Sequence, residues 1–219
     1  MKKCAVILCG SGYMDGSEIR ESVGTLLALS QEGAETHFFA PNAPQADVID
    51  CLNNKTLSEK RNMLIEAARI ARGKIQSLAE LNVDDFNALI IPGGFGVAKN
   101  LCSFATDGSN AKVLPEMKNI LQKFHAARKP IGAICIAPAL VALTFPQKGF
   151  ELTVGPKSEA SQEIEKLGHK HIVCAANGCH IDFSARIATT PAYMLEKAPV
   201  HEIFIGIHKL VKEVLKLCA

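Results

Sequence analysis

Unbroken apolar runs at residues 4–9, 88–91 and 131–134 punctuate a chain that otherwise alternates between amphipathic stretches and Gly- or Pro-bearing loops. Short runs without polar alternation are what strands buried on both faces of a parallel sheet require. Between the runs the period changes. Ile19, Val23, Leu26, Leu27 and Ser30 fall at helical spacing, and Gly33 closes that segment. Val113, Met117, Ile120, Leu121 and Phe124 follow i, i+4, i+7, i+8 and i+11, which predicts an amphipathic helix stopped by Lys129-Pro130. Val200, Ile203, Phe204, Ile207, Leu210, Val211, Val214 and Leu215 mark one face of a C-terminal helix. Thr56-Leu57-Ser58-Glu59 has the form of a capping box and predicts a helix over residues 56–72. Shorter strands are expected at 36–40, 152–154, 171–174 and 186–189, with a helix over 161–167. Strands alternating with helices give an α/β fold, a three-layer α/β/α sandwich with a mostly parallel central sheet. With 219 residues and 48% hydrophobic content, one domain over residues 1–219 is expected.

Charge and cysteine usage narrow the function classes. The net charge is +2 and the Lys and Arg residues are spread along the chain, so no nucleic-acid partner is expected. The longest apolar stretch, residues 131–143, contains Pro138 and falls short of the roughly 20 residues that a bilayer span needs. No membrane partner is expected. Lys2-Lys3 ahead of the first apolar run has the outline of a signal peptide, but the run is too short and ends in Gly-Ser-Gly. Eight cysteines are scattered, several inside apolar runs, with no C-x-x-C pair. That usage fits reduced thiols and predicts a cytoplasmic protein without a disulfide framework or zinc ribbon.

Ile131-Gly132-Ala133-Ile134-Cys135-Ile136-Ala137-Pro138-Ala139 places a thiol where a strand turns into a helix, with Pro138 tolerated in the first turn. Backbone N–H groups and the helix N-terminus there favour thiolate. Upstream, Ile91-Pro92-Gly93-Gly94-Phe95-Gly96 offers a second corner whose amides could receive an oxyanion. A thiolate nucleophile needs an acid or base beside it, and Glu18 and Glu21 open the helix after the first strand. Gly10-Ser11-Gly12-Tyr13-Met14-Asp15-Gly16 has one residue too many for a dinucleotide loop and reads as a strand-to-helix connection. His169, His171, Cys174, Cys179 and His180 cluster in sequence, and His180-Ile181-Asp182 has the spacing of a base and its orienter. Buried thiols and surface imidazoles are the reading adopted, and no metal is expected. Arg61, Arg69 and Arg72, with Asn62 and Glu66, form either a solvated face or the cover of a pocket.

Taken together these motifs are specific. Tyr13-Met14-Asp15-Gly16-Ser17-Glu18-Ile19, Arg61-Asn62, Ile65-Glu66-Ala67-Ala68-Arg69-Ile70, Ile91-Pro92-Gly93-Gly94-Phe95-Gly96, Ala98-Lys99-Asn100-Leu101, Cys135-Ile136-Ala137-Pro138-Ala139 and Thr189-Thr190-Pro191-Ala192-Tyr193-Met194 run nearly end to end. The chain resembles the ElbB-like (enhancing lycopene biosynthesis protein 2) family, in the PfpI-like, Parkinson-associated deglycase branch of the class I glutamine amidotransferase-like fold. The resemblance implies a flavodoxin-like sandwich, a homodimer and Cys135 as the reactive residue. It also implies Glu21, rather than Glu18, as the paired acid, and Gly93, Gly94 and Ile136 as sources of oxyanion-binding amides. Ile136 stands where many hydrolytic members of the superfamily place a histidine, and only His171 or His180-Ile181-Asp182 could replace an amidotransferase's histidine and acid. The expected function is therefore a cofactor-independent glyoxalase-type lyase acting on a small-molecule aldehyde, with no cofactor and a name-level link to isoprenoid biosynthesis. The alternatives are a redox-sensing homodimer using an oxidisable cysteine and an amidotransferase-like hydrolase.

Overall fold

Seven strands form the central sheet of the computed structural model, which describes residues 1–218. In chain order they are β1 (Lys3–Ile7), β2 (Glu35–Ala40), β3 (Ile75–Ser77), β4 (Ala88–Ile91), β5 (Ile131–Ile134), β6 (His180–Asp182) and β7 (Ile187–Thr190). Their spatial order is β6-β7-β5-β4-β1-β2-β3, and every pairing is parallel except β6 with β7. The helices of eight residues or more are α1 (Ile19–Gln31), α2 (Met63–Ile70), α3 (Pro115–Ala126), α4 (Ala137–Thr144), α5 (Glu159–Lys166) and α6 (Val200–Leu217). The architecture is the expected flavodoxin-like α/β/α sandwich.

The apolar runs form strands because both of their faces are covered. Ala5 and Ile7 of β1, with Leu89 and Ile91 of β4, pack into one core with Met117, Leu121 and Phe124 of α3 and Leu140 of α4. Cys4 and Val6, with Ala88 and Ile90, point the other way into a second core with Ile203, Ile207, Leu210 and Val214 of α6. Alternate residues thus serve opposite layers, and neither face tolerates a polar side chain.

Several expected boundaries shift for identifiable reasons. The helix expected over 56–72 shrinks to α2, which is capped by Asn62, whose side chain accepts from the amides of Leu64 and Ile65. Lys55 and Thr56 instead pair with Asp50 and Ile49 in a two-stranded ribbon. The strands expected at 152–154 and 171–174 reduce to Glu151–Leu152 and Lys170–His171, paired with each other outside the main sheet. Gly155 follows the first at a positive φ of 94°, and Cys174 lies beyond the second. None of the helices among the described residues is long and apolar enough to cross a membrane.

Candidate active site

The carboxyl ends of β1, β4, β5 and β7 deliver four loops to one place, where ligands of open α/β sheets bind. Cys135 follows β5 and carries a positive φ of 62°, a left-handed conformation for a residue with a β-carbon. Its amide donates to the Thr190 carbonyl at the end of β7 (2.9 Å), which holds the corner to the neighbouring strand. Ile136 then caps α4 and Pro138 sits in its first turn, where a missing N–H costs nothing. The thiol is 7% exposed, so it is less open than its corner position suggests.

Glu21 lies on the first turn of α1 and is fully buried. Its Oε2 accepts from the Gly93 amide at 2.8 Å, and its Oε1 from the Tyr193 amide at 3.3 Å. The same carboxyl hydrogen-bonds the Cys135 thiol. Burial and the nearby Glu18 push the Glu21 acid up to about 8, against the pull of those amides and the thiol. Near neutral pH Glu21 therefore holds its proton. Glu18 is the cap of α1, and its Oε2 accepts from the Glu21 amide at 2.6 Å.

Burial pushes the Cys135 thiol well above its ordinary value, and an ionised Glu21 adds to that push. The amides of Gly94 and Ile136 pull the other way by hydrogen-bonding the sulfur. The helix-end stabilisation expected from sequence is thus present but outweighed by dehydration and the acid's charge. The neutral form of Glu21 removes that repulsion and so eases ionisation of the thiol.

Of the three amides expected to face an oxyanion, Gly94 and Ile136 meet the sulfur, while Gly93 spends its N–H on Glu21. Gly93 also fills a role that only a residue without a side chain can fill. A β-carbon there would lie 2.8 Å from Glu21 Oε2 and 2.8 Å from the Ile134 carbonyl oxygen. Gly94, at φ 101°, passes so close to the 10–18 loop that a β-carbon would stand 2.5 Å from both the Glu18 nitrogen and the Gly16 oxygen. Gly16 therefore serves loop-to-loop contact, since a β-carbon on Gly96 would also stand 2.5 Å from it. Residues Val97–Leu101 make one turn of π-helix, a form often found at functional sites. There Asn100 donates to the carbonyls of Cys9 (3.1 Å) and Asp15 (2.9 Å), tying this loop to the end of β1.

The histidine-rich segment does not converge on Cys135. His180 bonds Glu151 at 3.0 Å, and His171 accepts from the Val154 amide at 3.4 Å. Asp182 accepts from Ser184 and from the amides of Ala185 and Glu151, so it does not orient His180. His169 is buried between the Phe150 amide and the Ala142 carbonyl. Among the described residues no three of His, Cys, Asp or Glu gather in a way that could hold a metal ion. Arg61 and Arg69 pair with Glu66 at the head of α2. Tyr193 is the contact that sequence reasoning left unassigned. It contributes a backbone amide, which no side-chain pattern signals, although its Thr-Thr-Pro-Ala-Tyr-Met motif was visible.

An elbow cysteine paired with a buried acid, at the carboxyl edge of this sheet, defines a class I glutamine amidotransferase-like fold with a thiol centre. Residues 5–173 match the DJ-1/PfpI family, and the chain belongs to it. It is 45% identical over 225 residues to the rat ES1 protein homolog, mitochondrial, spanning 98% of this chain and 84% of that protein. Its fold superposes with a TM-score of 0.93 on an isoprenoid biosynthesis protein with an amidotransferase-like domain from Ehrlichia chaffeensis, 36% identical with 100% of both chains covered. Glyoxalase III from Candida albicans shares the fold at a TM-score of 0.64, with 11% identity and 100% and 98% of the two chains covered. The rat relative's name places it in mitochondria, as do those of the human and zebrafish relatives, which overturns the cytoplasmic expectation. Reduced thiols separate a reducing compartment from an oxidising one, and do not separate two reducing compartments.

Proposed function

We propose that this protein is a cofactor-independent glyoxalase-type lyase that converts small 2-oxoaldehydes, such as glyoxal and methylglyoxal, into 2-hydroxy acids. The observation that carries this reading is the fully buried Glu21 carboxyl, gripped by the Gly93 amide against the Cys135 thiol. The chemistry needs a nucleophile and one acid that can both give and take a proton, and this pair supplies both. Cys135 thiolate adds to the aldehyde carbon, and the resulting alkoxide, held by the Gly94 and Ile136 amides, takes the proton of Glu21. The Glu21 carboxylate then removes the hydrogen from the former aldehyde carbon to give an enediol. Returning that proton to the neighbouring carbon leaves a thioester of the 2-hydroxy acid, which water cleaves to free the product and the thiol.

The shared fold of the Candida glyoxalase III supports the reading at the level of the scaffold. The motifs from Tyr13-Met14-Asp15-Gly16 to Thr189-Thr190-Pro191 support placing the chain in the ElbB-like branch, and the name of the Ehrlichia protein supports a connection to isoprenoid biosynthesis. A homodimer is the proposed assembly. It is supported by Ile19, Val23 and Leu27, which form an exposed stripe on α1 beside exposed Val200 and Ile205 of α6. The test is consumption of methylglyoxal with appearance of lactate by the purified protein and by Cys135→Ser. Activity confined to the unsubstituted protein supports the mechanism, and equal rates end it.

A further inference from the structure

We propose that Glu18 is a positioning residue for the Cys135–Glu21 pair: its carboxylate, lodged at the cap of α1, holds the pair's proton on Glu21 and so keeps thiolate available at Cys135. The inference rests on the assignment of these two residues as the reactive pair, and not on the identity of the substrate.

Three contacts fix Glu18 in place. Its Oε2 accepts from the Glu21 amide at 2.6 Å, its backbone carbonyl accepts from the Ser22 hydroxyl at 2.7 Å, and its own amide donates to the Gly93 carbonyl at 2.9 Å. The last contact joins the cap of α1 to the residue whose amide grips Glu21. The carboxylate is therefore held on the Glu21 amide, one helical turn along from its own residue. Its surroundings differ from those of Glu21. Glu18 is half-buried, and burial pushes its acid up against the pull of the Glu21 amide and the Arg20 guanidinium, whereas Glu21 has no exposed surface at all. When one of these two neighbouring acids carries the negative charge, Glu18 is the one that can be hydrated and countered.

The groups that face Glu21 are few. Glu18 comes from its own helix cap and Cys135 from the elbow, while Gly93 and Tyr193 present backbone amides. Arg20 acts on Glu18 and is held over the Tyr193 ring, its Nη1 donating to the phenol oxygen at 3.2 Å. Glu18 bears on Glu21, whereas the Cys135 sulfur is met by the Glu21 carboxyl and the amides of Gly94 and Ile136. A charge that repels one member of a proton-sharing pair moves the proton toward that member. The form with neutral Glu21 and ionised Cys135 gains over the form with ionised Glu21 and a neutral thiol. Only the first is nucleophilic.

The test is the pH dependence of Cys135 alkylation by iodoacetamide, resolved from the other cysteines by peptide mass spectrometry, in the full chain and in Glu18→Gln and Glu18→Asp. Gln keeps an acceptor for the Glu21 amide and removes the charge, while Asp keeps the charge and is a strong helix cap. We expect Glu18→Gln to alkylate about three- to tenfold more slowly around pH 8, where the Glu21 proton is in play. The rates should converge at alkaline pH, where Glu21 is ionised in every variant. Glu18→Asp should stay close to the unsubstituted protein. A Glu18→Gln profile that superimposes on that of the unsubstituted protein overturns the proposal, and so does a Glu18→Asp profile as slow as Gln with an equal loss of thermal stability. Because alkylation needs no aldehyde, failure of the lyase assay leaves this result standing.

Discussion

A β-carbon placed on Gly93 would collide with the Cys135 Cβ, well inside contact distance. The two loops meet with no room for even one methyl group, and Glu21 is clamped in the same gap. Gly93→Ala is therefore expected to push the elbow and the acid apart. Overpacking of this kind costs about 1–3 kcal/mol, and alkylation of Cys135 should lose its dependence on Glu21. Denaturant unfolding together with the alkylation profile of Gly93→Ala checks both outcomes.

Glu21 links stability to pH. Its acid lies near 8 when folded and near 4.5 as a free side chain, so the folded state binds the extra proton between those values. The contribution is fully present below about pH 4.5 and is lost as pH rises through about 8. Urea unfolding between about pH 5 and 9 should show stability falling by up to roughly 1.4 kcal/mol per pH unit from this group. Glu21→Gln should flatten that component while abolishing turnover. An unchanged slope would count against a neutral Glu21.

His169 gives the opposite dependence. Its Nδ1 accepts from the Phe150 amide at 3.1 Å and its Nε2 donates to the Ala142 carbonyl at 3.1 Å, so the ring is held neutral. Burial keeps it below the ordinary histidine value of 6.5. The unfolded chain takes up this proton first, so the stabilisation is present above about pH 6.5 and is lost as pH falls through the folded value. His169→Gln, which offers one acceptor and one donor, should reduce the acid sensitivity. His169→Leu leaves two buried backbone groups unpaired and should cost about 2–4 kcal/mol at pH 7. Chemical unfolding at several pH values separates the two.

Val23 lies at the middle of the exposed α1 stripe, between Ile19 and Leu27. Val23→Glu should convert the proposed homodimer to a monomer without lowering the thermal midpoint of the monomer. Sedimentation velocity reads the mass directly, and a monomer in the unsubstituted protein would remove the dimer from the account.

Fold and site were legible to different degrees. Residues 88–91 and 131–134 announce themselves because strands covered on both faces admit only apolar side chains. Ile75–Ser77 does not, since three residues at a sheet edge, none of them buried, carry no pattern. His180–Asp182 reads as catalytic spacing because His180 and Asp182 flank one residue, yet it is the antiparallel edge strand. Thr56-Leu57-Ser58-Glu59 has a helix-opening pattern that the Ile49–Thr56 pairing overrides. At the site, Cys135 follows from the strand-to-helix corner, while Glu21 and Glu18 are indistinguishable by pattern and are separated by the resemblance and by burial. The commitment of the Gly93 amide to Glu21 depends on backbone orientation, which glycine leaves open.

The left-handed torsion of Cys135 has an evolutionary consequence. Glycine relieves that torsion outright, so a lineage with no further use for the sulfur would find a stabilising substitution one codon change away. Decay of the activity should therefore leave a recognisable scar, an elbow glycine within an otherwise intact scaffold.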